Sequence, residues 1–365
     1  MGEKMTGTEK IKAMLENKTV DAVGACGWVH TPEADRKPVD EFVHRVIELT
    51  DEHRWDFIKL MSNGWYIQEA YGEKLHFYEE NIPLAFQKIK RLADMEEPLV
   101  TCEEDLETLP LLDAANNAVV RYNAEVVKRL AEHYHGEKPV IATIFTPSTI
   151  LPDLCGSNEA FLHYIETCPE KVHTALDTLL EGIEKIADTL IEAGADGLFI
   201  STKNTSPEMI PVAWFDEFSR SYDEKLLSHI KGKAWFNILH VHGQHNLYMD
   251  AYADYDVQAI NWENVPHGMS GKGVTTVADL RAKTDKILIG GTDQFYDFYG
   301  TVEEVTDRFR MRLQTAVREA GDNRFIFAPG CSLPLDVPQE NLHLIRTVVD
   351  EYLREHPVYA EKMTY

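Results

Sequence analysis

The chain has no Cys-x-x-Cys pair, no long apolar run, no basic stripe and no phosphate-binding glycine loop. Each absence excludes something. The five cysteines, Cys26, Cys102, Cys155, Cys168 and Cys331, are odd in number and scattered, which excludes a disulfide framework and suits a reducing compartment. No stretch approaches the roughly 18 apolar residues of a membrane span, and the N-terminus lacks the apolar core of a signal peptide. A cytoplasmic protein is the expectation. Against 61 acidic residues stand 36 basic ones, a formal net charge of −25, so neither nucleic acid nor an anionic membrane is an expected partner. No Gly-x-Gly-x-x-Gly turn follows the first strand and no P-loop occurs, which argues against a doubly wound nucleotide-binding fold.

Short apolar runs alternate with amphipathic helices along the 365 residues. Runs at 57–61, 140–145, 197–201, 235–240, 257–261, 287–289 and 325–328 have the length and composition of parallel strands buried on both faces. Helices are predicted at 169–193, opening on Pro169 and stopping at Gly194, at 302–320, ending at Gly321, and at 338–355, opening on Pro338. Such alternation predicts a single-domain α/β protein, a (β/α)8 TIM barrel spanning 1–365. An eighth strand is not evident, and 62–135 reads as a largely helical elaboration, an insertion or lid.

What the chain does contain is a chemical cluster at predicted strand ends, where barrel active sites lie. One run closes on His240-Val241-His242-Gly243, another on Trp262-Glu263, a third on Pro329-Gly330-Cys331. Residues two apart on a strand share a side, so His240 and His242 can hold one ion if Val241 faces away. Two imidazoles and a thiolate form a zinc ligand set, with Glu263 as a further, exchangeable oxygen ligand. Taken singly, each has a plainer reading: a hydrogen-bonded histidine, a small buried cysteine, a carboxylate on a backbone amide. Asn63, Trp65, Thr146, Asn204 and Asp293 follow other strands, and Trp28 and His30 sit in an early loop able to cover the barrel mouth. These are candidates for substrate contact or ligand orientation, although capping and turn formation are the better account of each taken singly.

Met5-Thr6-Gly7-Thr8-Glu9-Lys10-Ile11 through Lys18-Thr19-Val20-Asp21, His240-Val241-His242-Gly243, Gly290-Gly291-Thr292-Asp293 and 329–341 together resemble the uroporphyrinogen decarboxylase-like superfamily. The resemblance is dense in the C-terminal half and looser in the N-terminal half, and it implies a (β/α)8 barrel. The decarboxylase branch carries an Arg-Gln-Ala-Gly-Arg segment near its N-terminus; here the region reads Ala25-Cys26-Gly27-Trp28-Val29-His30, with Arg36 the nearest arginine. The tyrosine that follows that branch's second strand is likewise missing, and Cys331 stands in place of its C-terminal histidine. The other branch comprises zinc-dependent methyltransferases that move a methyl group from a corrinoid protein to a thiol. Their His-x-Cys pair, glutamate and Pro-Gly-Cys turn are matched by His240, Glu263 and Cys331, while His242 stands where cysteine is usual. The resemblance thus implies Zn2+, a methylcorrinoid as co-substrate carried by a corrinoid protein, a small-molecule acceptor, and Glu263 and Cys331 in the chemistry. Decarboxylation of uroporphyrinogen without metal, and a non-catalytic corrinoid-pathway role, are the competing readings.

Overall fold

A computed structural model describes residues 5–17, 23–83, 90–266, 271–321 and 324–355, and of 78–92 the backbone where it is described. Lys18-Thr19-Val20-Asp21, the end of the N-terminal segment used above, lie outside the described residues. Among the described residues ten strands follow one another: β1 Gly24–Ala25, β2 Ile58–Lys59, β3 Lys74–Pro83, β4 Lys90–Glu97, β5 Val140–Phe145, β6 Gly197–Thr202, β7 Ile238–Val241, β8 Ala259–Trp262, β9 Ile287–Thr292 and β10 Phe325–Pro329. Eight of them form one parallel sheet in the order β1-β10-β9-β8-β7-β6-β5-β2. Helices surround the sheet, and the fold is the expected (β/α)8 barrel. Every residue of β5 except Phe145, and every residue of β6 to β10, is buried, because interior packing covers one face and helices the other.

Asp56 ties the two ends of the sheet together. Its backbone N–H donates to Ala25 O at 2.9 Å, and its carboxylate accepts from Ala25 N–H at 2.7 Å. The same carboxylate pairs with Lys10 at 3.0 Å and with Arg346 at 2.6 Å, all three side chains being buried. One anion facing two cations and an amide keeps its charge, so its pKa falls although burial pushes it the other way.

Three features differ from the sequence-based expectation. The eighth strand is β1, two small residues that never register as an apolar run. The helices expected within 62–135, Tyr66–Ala70 and Ala118–Tyr134 with a short turn at Glu103–Glu107, are accompanied by an antiparallel ribbon of β3 and β4. The predicted helix at 338–355 is broken into Gln339–Leu342 and Leu344–Glu355. Helix Pro169–Glu192 and helix Val302–Ala320 fall where expected. The latter begins with a Thr301–Glu304 capping box and ends before Gly321 in the left-handed region. Among the described residues no helix is long and apolar enough to cross a membrane.

Candidate metal centre

Register explains the site. In the ladder between β7 and β8, His240 lies opposite Asn261, and Val241 opposite Trp262. Asn261 is wholly buried and spends its amide on three partners. Its Nδ2 donates to Ile289 O at 3.0 Å and to Pro329 O at 3.2 Å, which orients the side chain. Its Oδ1 is thereby left facing His240 Nδ1, 2.6 Å away. An acceptor there puts the ring proton on Nδ1 and leaves Nε2 as a lone pair pointing into the barrel mouth. Phe199, stacked on the imidazole at 5.2 Å, restricts ring rotation. Desolvation depresses the His240 pKa to about 3, so this nitrogen is free of a proton at neutral pH.

His242 shares that side of the strand, its ring 5.9 Å from that of His240, while Val241 is buried in the packing. Its backbone is held from two sides: His242 N–H donates to Thr202 O at 3.0 Å, and its carbonyl accepts from Thr205 Oγ1 at 2.6 Å. The chain then turns through Gly243 at φ +102°, a conformation that side chains rarely adopt. The His242 side chain is 47% exposed and marks the open flank of the site.

Cys331 arrives after β10. A Cβ on Gly330 would stand 2.8 Å from Glu263 Cα, so only glycine lets this turn pack so closely on the end of β8. The thiol lies 3.6 Å from His240 Nε2 and 3.6 Å from His242 Nδ1, and the three ligand atoms fall within 4.8 Å of one another. Tetrahedral zinc with ordinary Zn–N and Zn–S bonds sets such nitrogen–sulfur pairs roughly 3.6 Å apart, so the donor set fits that ion. Burial and the Glu263 carboxylate push the Cys331 thiol up to about 12. A thiolate at neutral pH therefore needs a cation beside it, which a bound metal would be.

Glu263 stands just outside this trio. Its Oε1 is 4.0 Å from His242 Nδ1 and accepts from Gly243 N–H at 3.1 Å, while Oε2 accepts from Gln294 at 2.7 Å. The carboxylate is thus held in the wall of the site, one step from the ligand atoms.

The remaining candidates are spread around the mouth. Thr146 is buried among the Ser148 and Thr149 hydroxyls, Asn204 donates to Ser148 O at 2.6 Å, and Asp293 accepts from Phe295 N–H at 2.8 Å. Asn63 bonds Trp65 N–H and Glu69, and Trp65 precedes the short helix Tyr66–Ala70. Asn63, Thr146, Asn204 and Asp293 thus spend polar groups on hydrogen bonds within their loops. Trp28 is buried edge-on to Phe199, and its carbonyl accepts from Leu333 N–H at 3.2 Å, joining its loop to that of Cys331. Among the described residues, the buried Nδ1 of His30 has no hydrogen-bond partner.

Sequence reasoning missed Lys59. Its ammonium lies 4.6 Å from the centre of the Phe199 ring and 2.6 Å from Met61 Sδ, with no ion pair among the described residues. Desolvation lowers its pKa to about 7, and its charge acts on Cys331, His240 and His30. The signal was present: a charged residue amid the apolar run Phe57-Ile58-Lys59-Leu60-Met61. The second omission is Asn261, the residue that aims His240.

A family profile for uroporphyrinogen decarboxylase (URO-D) matches residues 39–352. The methylcobamide:CoM methyltransferase MtaA of Methanosarcina barkeri is 24% identical over 229 residues, 62% of this chain and 62% of that protein. The chain thus spans about three-fifths of the length of that relative. A uroporphyrinogen decarboxylase of Vibrio campbellii is 22% identical over 323 residues, 81% of this chain and 86% of its own. Among solved structures, a methyltransferase from Methanosarcina mazei superposes with a TM-score of 0.78 at 19% identity, over 96% of this chain and 99% of that one, a likeness of fold.

Proposed function

The chain belongs to the uroporphyrinogen decarboxylase (URO-D) family, and from that premise we propose that it is a zinc-dependent methyltransferase, moving a methyl group from a methylcorrinoid to a thiol or similar small acceptor. The observation that carries this reading is the His240, His242 and Cys331 cluster, three soft and borderline ligand atoms within 4.8 Å at the C-terminal mouth of the barrel. Relatives named as methylcobamide:CoM methyltransferases supply the reaction class. Bound zinc would supply Lewis acidity that holds an acceptor thiol as its thiolate near neutral pH.

The protein's own residues have distinct parts in this account. Asn261 keeps the His240 proton on Nδ1, so that Nε2 is always a ligand and never a proton donor. Cys331 contributes the anionic ligand. Glu263, fixed by Gly243 N–H and Gln294, is placed to take at Oε1 the proton that the acceptor thiol gives up. His242 is a neutral ligand where cysteine would add a negative charge, which leaves a stronger electrophile at the site. The exposed flank beside His242 is the side from which the acceptor and a corrinoid, free or carried by a partner protein, would approach.

The competing reading, decarboxylation of uroporphyrinogen, draws support from the longer alignments to decarboxylases. It requires several free cations to grip the carboxylates of the substrate. Around this mouth, among the described residues, Arg36 is paired with Glu69 at 3.6 Å and Lys203 with Asp153 at 3.2 Å, so neither is free to grip a carboxylate. The discriminating experiment mixes the zinc-loaded protein with methylcobalamin and a panel of thiols and follows the corrinoid absorbance. Thiol-dependent demethylation that is lost in Cys331→Ser is expected. Conversion of uroporphyrinogen to coproporphyrinogen by metal-free protein would overturn the proposal.

A further inference from the structure

A second cavity, of about 200 Å3, is built from the loops after β1 and β2 and from the first turns of helix Ala118–Tyr134. None of the metal-cluster residues lines it. Its polar wall is Asp35, Arg36, Asn63, Glu69 and Asn123; its apolar wall includes Val119 and the ring of Tyr122. The Tyr122 hydroxyl is already committed, donating to Lys37 O at 2.7 Å, and its ring, stacked on Phe42 at 6.4 Å, is part of the cavity lining.

The charges in the polar wall are unequally matched. Arg36 sits over the Phe77 ring and pairs with Glu69 at 3.6 Å, and Glu69 also accepts from Asn63 at 3.3 Å. Asp35 is left over. It is only 4% exposed, yet among the described residues its carboxyl group has neither a hydrogen bond nor an ion pair. Its oxygens open onto the cavity and accept from no protein donor among the described residues, which leaves them to solvent or to a ligand. Desolvation, with Glu33 and Glu69 adding and Arg36 opposing, raises its pKa to about 7. A cation entering the cavity would be the missing partner.

The volume and the walls narrow the ligand class. About 200 Å3 has room for roughly six water-sized groups. A hard inorganic cation asks for six or more oxygen ligands, which this wall does not converge on one point. An aromatic ring and aliphatic side chains opposite a carboxylate suit a cation that carries carbon, as in cation–π recognition of alkylammonium groups. We propose that this cavity binds a small organic ammonium ion, with Asp35 as its anionic partner and Tyr122 and Val119 packed against its carbon atoms. The inference does not rest on the metal centre and stands or falls separately from it.

Calorimetric titration of the full chain, at constant ionic strength, with ethylammonium and trimethylammonium chloride tests it; ethanol, acetate and potassium serve as neutral, anionic and inorganic controls. Saturable binding of one ammonium per chain is expected, with no comparable binding of the controls. Asp35→Asn keeps the shape, removes an unmatched buried charge and should fold at least as well as the parent, while ammonium affinity drops at least tenfold. Val119→Phe fills the cavity without touching the carboxyl group and should block binding too. Absence of ammonium binding to the parent would overturn the proposal. So would binding unchanged in both variants, or acetate or potassium binding as tightly as the ammonium ions.

Discussion

Replacing Asn261 by alanine separates a designed metal site from a chance meeting of two histidines and a cysteine. The substitution removes the acceptor 2.6 Å from His240 Nδ1 and the donor to the carbonyls of Ile289 and Pro329, all in a fully buried position. Each buried polar group left without a partner costs roughly 1–3 kcal/mol. The unpaired His240 N–H and the loss of the two carbonyl contacts together imply about 2–5 kcal/mol of lost stability. The effect on metal is separate. Once the ring is free to turn and to exchange tautomers, zinc affinity should fall about 10–100-fold, the usual loss when a ligand's hydrogen-bond partner is removed. Competition against a chromophoric chelator measures that affinity, and thermal denaturation measures the stability. Asn261→Asp guards against a variant that fails to fold: it keeps the acceptor for His240, loses the two carbonyl contacts, and should lower stability while retaining zinc. A folded Asn261→Ala protein with parental zinc affinity would refute the reasoning.

Other consequences follow from the same geometry. Zinc uptake near pH 8–9 should release one proton per ion, from Cys331, because the His240 nitrogen is already bare and the thiol, at about 12, is not. Apparent affinity should therefore rise about tenfold per pH unit there, and a flat pH profile would count against Cys331 as a ligand. His242→Cys should still bind zinc and release two protons in place of one, a change that pH-stat titration reads directly. Asp56→Ala strands the buried Lys10 charge, leaves Arg346 with Asp350 at 3.6 Å, and should cost about 3–5 kcal/mol in denaturant unfolding. A loss under about 1 kcal/mol would contradict the account of barrel closure. Since the Asp56 pKa is depressed by folding, its contribution is fully present above its unfolded value, roughly 4, and is lost as pH falls toward the lower folded value.

Seven of the eight barrel strands and the three clustered side chains were legible in the sequence for a physical reason. A run of apolar residues ending in His-x-His or Pro-Gly-Cys carries both its secondary structure and its chemistry locally. Asn261 was not legible, since its importance comes from register: it faces His240 across a ladder and bonds carbonyls on β9 and β10. Glu263 could be found but not placed, because the groups that hold it outside the ligand trio, Gly243 N–H and Gln294, come from two other strand ends. The strand Gly24–Ala25 has too few and too small side chains to signal itself; Asp56, far along the chain, closes the barrel against it. The ribbon of β3 and β4 was hidden by its charged composition, which reads equally well as helix or loop.

The central claim is that His240, His242 and Cys331 hold a zinc ion. Metal analysis of the protein purified without chelator tests it most directly, alongside His240→Ala and Cys331→Ser prepared in the same way. One zinc per folded chain in the parent, and a large loss in both variants, is the predicted result. A folded parent protein that contains no zinc and takes up none from a buffered solution would contradict it.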